Sequence, residues 1–280
     1  MKKYIYSVFL TLTPFFTGLA APYTDWQNDY TGTESGTLLL WKFNSPDPSL
    51  DSGTGGYNAT FSTTGTQTGV TGKFGQAFFS GPDKSTSNDS FARNGASAEV
   101  FNTSALSVEF WFQPVMAGVS TGNIAYFVDK KYSSSSHTGV LLALNNTGET
   151  PGTLYFEVGN GSSSTSIRTA SLEWNVGQWY HIAATYQNVD GDGVLRIFRD
   201  GKEEGFREVE AFGSLDAGAR FWNLANRLGS SNNSSTPGYY DNFRISSIAY
   251  DYAPIPEART AMLLFLLTPF VFLSRHSTSF

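Results

Sequence analysis

The chain has 280 residues, a formal net charge of −6 and no cysteine. An acidic balance excludes nucleic acid as the main partner, since phosphate binding needs a basic surface. The missing cysteines exclude thiolate-bound zinc and thiol catalysis. Aromatics and charged residues stand at 15% each, a composition that is neither disordered nor coiled-coil and suits one large β-domain.

Residues 1–21 are predicted to be an export signal. Lys2 and Lys3 supply the positive start, Tyr4 to Phe16 is mostly apolar, and Gly18 and Ala20 give the small residues of a cleavage site. Cleavage is expected after Ala20, with Ala21 the next choice. Residues 22–36 are polar and are expected to form a flexible lead-in, in which Trp26 has no assignable role.

From residue 37 to 253 apolar runs alternate with turn clusters, beginning with TLLLWKF at Thr37–Phe43 and FGQAFFSG at Phe74–Gly81. In LSVEFWFQP, Val108, Phe110 and Phe112 alternate with Ser107, Glu109 and Trp111, the period of a strand with one buried face. The size of Trp111 implies that its other face is not fully wet. IAYFVDKK, GVLLALNN, GTLYFEVGN, SIRTASL, WYHIAATY and GVLRIFRDG continue the series. Short strands at this spacing, with no long helical period, predict a single antiparallel β-sandwich. NVDGDG is expected to be a hairpin turn, because Asp-Gly pairs accept positive φ. RDGKEEG is expected to be a second turn, with Gly201 where no Cβ fits.

The C-terminal run Ala261–Leu273 has 13 residues and contains Pro269. As a helix it would cover roughly 20 Å, short of the roughly 30 Å hydrocarbon core. PIPEA (Pro254–Ala258) precedes it, and Arg275 and His276 follow. Pro256 and Glu257, the short apolar run and the basic end resemble a PEP-CTERM sorting signal over residues 254–280. Ala258 stands where that family usually has a second proline. The resemblance implies transient inner-membrane contact and cutting by a sorting peptidase of the exosortase type. A short tail anchor is the alternative.

Between the ends, five segments in consistent order resemble a LamG-like, concanavalin A-like jelly roll. They are LLLWKFNSPDPSLDSGTGGYNATF, GKFGQAFFSG, LSVEFWFQP, WYHIAATY with LRIFRDGKEEG, and RLGSSNN with GYYDNFRISSIAY. The resemblance implies two stacked antiparallel sheets and a binding role toward sugars, proteins or calcium. Fold alone does not settle function.

Catalysis is not expected. A sugar-cleaving pair on one strand would read as acidic residues at i and i+2, since these share a face. Glu109 stands alone, and Glu208 with Glu210 lies just past a predicted surface hairpin. His137, His181 and His276 are scattered, and Gly-x-Ser-x-Gly is absent. His181 is expected to be a packed, hydrogen-bonded histidine. NVDGDG fails as a calcium loop, because Arg199 falls where a bidentate glutamate is required.

The jelly-roll resemblance implies instead a structural Ca2+ between the first loop and the last strand, held by Asp51, Asn58 and Asp241. Otherwise Asp51 and Asn58 would cap a turn and Asp241 would pair with an arginine such as Arg244. Trp222, Tyr239 and Tyr240 are candidates to stack on a sugar ring, against a plain core role. The sequence therefore points to an exported, non-catalytic binding module of the bacterial envelope or extracellular matrix, recognising carbohydrate or protein. A structural or adhesive envelope protein, or a glycoside hydrolase on the same fold, are the alternatives.

Overall fold

The computed structural model describes residues 22–44, 46–62, 65–81, 92–94, 101–115, 124–131, 137–145, 150–218, 220–227 and 236–254. The export signal with Ala20, and Pro256, Glu257 and the rest of the sorting signal, lie outside the described residues. Among the described residues, fifteen strands follow in chain order: β1 (Thr37–Trp41), β2 (Ala59–Phe61), β3 (Thr66–Thr71), β4 (Gln76–Ser80), β5 (Ala92–Asn94), β6 (Ala105–Pro114), β7 (Ala125–Asp129), β8 (Val140–Leu144), β9 (Thr153–Gly159), β10 (Ser164–Ser171), β11 (Tyr180–Val189), β12 (Asp192–Arg199), β13 (Lys202–Val209), β14 (Asn223–Leu224) and β15 (Gly238–Ser246). They form two antiparallel sheets, as the alternation predicted. Sheet one runs β13-β12-β11-β6-β15-β4-β3, with β1 also on β15. Sheet two runs β10-β9-β8-β7-β14-β5-β2.

The inner faces enclose one core. Val108, Phe110 and Phe112 contribute to it from β6, Leu142 from β8, Phe156 from β9, Ile182 from β11 and Tyr240, Phe243 and Ile245 from β15. Aromatic rings meet edge-on or tilted across the gap between the sheets, as with Phe112 and Phe127 at 4.8 Å.

Both Asp-Gly turns form as expected. Asp190 and Gly191 each have positive φ between the paired Val189 and Asp192, and Asp200 and Gly201 do the same between Arg199 and Lys202. These two-residue turns match the twist of the strands they join. Gly201 has a further constraint: a Cβ there would collide with the Ala253 carbonyl and the Trp26 ring. Gly201→Ala is expected to cost about 1–3 kcal/mol from backbone conformation alone, with the collision adding to it, read as a lowered melting temperature.

The lead-in departs from expectation. Trp26 is fully buried and Tyr30 nearly so, packed with Leu40, Trp111, Ala183, Phe198 and Tyr252 on the outer face of sheet one. The two described ends are knitted together there. The Tyr23 amide donates to the Asp251 carbonyl, the Ala253 amide to the Tyr23 carbonyl, and the Trp26 indole to the Ala253 carbonyl. The aromatic residues in this segment, Tyr23, Trp26 and Tyr30, override its polar composition, because each buries a large apolar area. This layer also explains why Trp111 occupies an outward position.

Candidate functional site

Beneath that layer, Glu109 is fully buried. The Arg244 guanidinium donates to Glu109 Oε1 through Nε, at 2.7 Å, and through Nη2. Tyr30 donates its hydroxyl to Oε2 at 2.5 Å, and His181 Nε2 lies 3.1 Å from the same oxygen. Burial alone would raise the Glu109 pKa, but the Arg244 charge, His181 and the Tyr30 hydroxyl hold it at about 2. Trp26 stacks on the His181 ring at 4.5 Å, so His181 is the packed histidine that was expected. The cluster fastens the N-terminal segment to the sheet.

The expected calcium ligands do not converge. Asp51 bridges Trp41 along the edge of β1 opposite β15. It accepts from the amides of Leu40 and Gly53 through Oδ1 and of Tyr57 through Oδ2, while Asn58 accepts from the Asp51 amide. These two residues organise a turn. Asp241 lies on β15 and takes the Phe74 amide, and Arg244, its alternative partner, is committed to Glu109. Burial pushes the Asp241 pKa up to about 8. Among the described residues, no group of three or more His, Asp or Glu side chains is placed to hold a metal ion.

The expected sugar-stacking rings are separated too. Trp222 and Tyr240 are fully buried. Trp222 packs edge-on against Phe101, and the Tyr240 hydroxyl donates to the Thr236 carbonyl. Tyr239 is half-buried against Phe79, on the outer side of sheet one. The alternation of β15 sends Tyr240 inward and Tyr239 outward, so neighbours in sequence end on opposite faces.

The outer face of sheet two carries what the sequence did not disclose. Residues opposite one another on neighbouring strands share a face. One row therefore crosses the sheet as Ser166, Glu157, Leu141, Asp129, Asn223, Arg93 and Thr60. A second row holds Arg168, Tyr155, Ala143 and Tyr126. Lys131 pairs with Glu157 Oε1, and the Tyr155 hydroxyl donates to Oε2 at 2.9 Å. Arg227 donates to the Tyr126 hydroxyl at 2.8 Å and to the Lys131 carbonyl, with its Nε 3.9 Å from Asp129. Burial drives the Asp129 pKa to about 7 against the partial relief that Arg227 and the Lys131 amide give, and it drives Tyr155 to about 12.

This arrangement is a polar network with its groups fixed by mutual hydrogen bonds. Tyr126 and Tyr155 are buried, Arg227 and Glu157 are half-buried, and Arg168 is exposed. Asp129 and Glu157 sit two strands apart, about 9.6 Å by strand spacing. A search for acidic residues at i and i+2 cannot see such a pair. The signal within reach was TLYFEVG, where Tyr155 and Glu157 alternate with Leu154, Phe156 and Val158.

A family model described as the concanavalin A-like lectin/glucanases superfamily matches residues 84–255, more than half of the chain. The chain belongs to the concanavalin A-like lectin/glucanases superfamily. Solved structures carry the same fold at low identity. Domain 4 of AbnA, an extracellular arabinanase of Geobacillus stearothermophilus solved with arabinotriose, is 19% identical, with a TM-score of 0.52 over 81% of this chain and 98% of that one. The botulinum neurotoxin serotype D binding domain is 14% identical, with a TM-score of 0.54 over 82% and 50%. A botulinum neurotoxin type C structure, described through its interaction with two ganglioside molecules, is 18% identical, with a TM-score of 0.53 over 82% and 51%. The superfamily domain here thus spans about half the length of those toxin chains. No curated protein sequence matches.

Proposed function

We propose that the protein is an exported, non-catalytic binding module of the bacterial envelope or extracellular matrix, and that the outer face of sheet two takes carbohydrate. The observation that carries this is the polar network around Tyr126, Tyr155, Glu157 and Arg227, which lies on the outer side of sheet two rather than in the core between the sheets, with Glu157 and Arg227 half-buried at its margin. Fixed hydroxyl, carboxylate and guanidinium groups of this kind orient a sugar without needing to rearrange. The arabinotriose complex, and a toxin on the same fold whose cell entry depends on interaction with two ganglioside molecules, support the choice of ligand class.

A binding role is favoured over hydrolysis by the state of the two carboxylates. Both Glu157 oxygens are engaged, and Asp129 is almost fully buried. A general acid must reach the leaving oxygen, and a base must reach water. Export follows from residues 1–21. The C-terminal segment is proposed as a sorting signal around Pro256 and Glu257, served by an exosortase-type peptidase.

A glycan array probed with the purified protein tests the proposal. Retention of at least one glycan without sugar release is the expected result, and it should be lost in Tyr155→Ala. Release of sugar would replace the binding role with hydrolysis. Silence across the array would leave a structural envelope protein as the better account.

A further inference from the structure

The layer held by Trp26 and Tyr30 does not cover the whole outer face of sheet one. Residues opposite one another form a row there, with Gln67 on β3, Phe79 on β4, Tyr239 on β15 and Gln113 on β6. Tyr180 pairs with Phe112, so Trp179, the residue before β11, continues the row beside Gln113. Trp179 also packs against the margin of the aromatic layer on this side. The row thus reads amide, ring, ring, amide, ring. Gln67 is exposed and the other four are half-buried. No charged side chain stands in the row. Lys73 borders it, with its ammonium 4.4 Å from the ring of Trp111, two residues before Gln113 on the same face of β6.

Gln113 Nε2 donates to the Gly177 carbonyl at 2.7 Å, which fixes that amide and leaves Oε1 to accept. Among the described residues, the Gln67 amide, the Tyr239 hydroxyl and the Trp179 indole N–H hold no partner. Phe79 backs the Tyr239 ring at 5.0 Å, and neither meets any other described ring. Rings left open side by side and rimmed by polar groups mark an interaction surface. One strand, β6, separates β15 from β11. Strand spacing then places Tyr239 and Trp179 about 9.6 Å apart, on the scale of two sugar units in an extended chain.

We infer that this row is a further binding site, which takes a neutral glycan chain laid across the strands. Tyr239 and Trp179 offer flat faces to alternate sugar rings and polar tips to their hydroxyls. Each glutamine amide carries both a donor and an acceptor, as a hydroxyl does. A carboxylate or sulfate set down on the row would lose water and meet no counter-charge in it. An extended peptide draws its affinity from the free backbone groups of a sheet edge, and this row lies on a face. The site is separate from the one proposed on sheet two and does not rest on it.

Affinity electrophoresis of the intact protein through gels holding hydroxyethylcellulose, xylan, arabinan or dextran sulfate, at low and high salt, tests this. The expected result is retardation by at least one of the three neutral polymers, unchanged by salt. Tyr239→Ala and Trp179→Ala should each weaken it about tenfold, the loss of one stacked ring at the centre of a contact. Trp179 also supports the aromatic layer, so Gln67→Ala, on an exposed side chain, separates binding from folding. It should weaken retardation about threefold, the loss of one neutral hydrogen bond, with an unchanged melting temperature. Lys73→Gln should leave retardation by the neutral polymer as it was. Retardation that all three row variants leave intact and Tyr155→Ala abolishes would overturn the inference and leave the sheet-two site standing. Retardation by dextran sulfate alone, removed by salt or by Lys73→Gln, would reduce the row to a neighbour of one charge and overturn it. No retardation by any neutral polymer would also overturn it.

Discussion

Replacing Arg244 by methionine is expected to destabilise the protein by about 3–5 kcal/mol, because it leaves the Glu109 carboxylate charged and unpaired under the aromatic layer. The cost comes from desolvation without compensation. Glu109 would keep only the Tyr30 hydroxyl and His181 Nε2. The Tyr23, Tyr30 and Tyr250 rings around the guanidinium, with Tyr30 4.1 Å from it, would lose their cation as well. The double variant Glu109→Leu with Arg244→Met removes both charges together. It is expected to recover a large part of the loss, since a buried ion pair contributes little against a well-packed apolar pair. Urea midpoints of the two single variants and the double variant check this. Equal losses for Arg244→Met and the double variant would show that packing around the arginine, rather than its charge, holds the layer.

The second large effect is with pH. Asp129 and Asp241 have folded pKa values near 7 and 8, against an ordinary 3.8. Between these limits the folded chain keeps protons that the unfolded chain has released. Each group therefore removes about 1.4 kcal/mol of stability per pH unit across its own interval. This stability is fully present below pH 3.8 and is lost as the pH rises through 7 and 8. Glu109 acts in the opposite sense. Its folded value near 2 lies below an ordinary 4.5, so its contribution is present above pH 4.5 and is lost as the pH falls toward 2. These groups together place the maximum near pH 4 and predict a steady decline toward pH 8. Urea denaturation across that range should show the slope, and Asp129→Asn and Asp241→Asn should each flatten it. A flat profile in the unmodified protein would mean that water reaches both carboxyls.

The difference between the legible and illegible parts of this fold lies in what one strand can report. Alternation within LSVEFWFQP assigns Val108, Phe110 and Phe112 to the core, because that pattern depends only on the pleat. The Asp-Gly turns are equally local, since positive φ is a property of the residues themselves. Glu109 stood alone in the sequence, yet its partners come from residues 30, 181 and 244. Register between strands brings them together, and no single-strand pattern encodes it. The same holds for Asp129 and Glu157, which share a face only through Leu141 of the strand between them. Trp222 and Tyr240 were candidate binding residues on residue type alone, but a ring rich in apolar area is equally suited to a core. For Trp26 a polar neighbourhood concealed a buried side chain.

The knitting of Tyr23 to Asp251 and Ala253 has a directional meaning. It fixes where the described chain enters and leaves on one side of the sandwich, the outer side of sheet one. The face of sheet two proposed to take carbohydrate is on the other side, across the full thickness of both sheets. Residues 22 and 254 therefore both lie on the side away from that face. A domain held at a surface from that side would turn the proposed carbohydrate face of sheet two outward. Orientation would then come from the fold itself, without a hinge or a second contact with the surface.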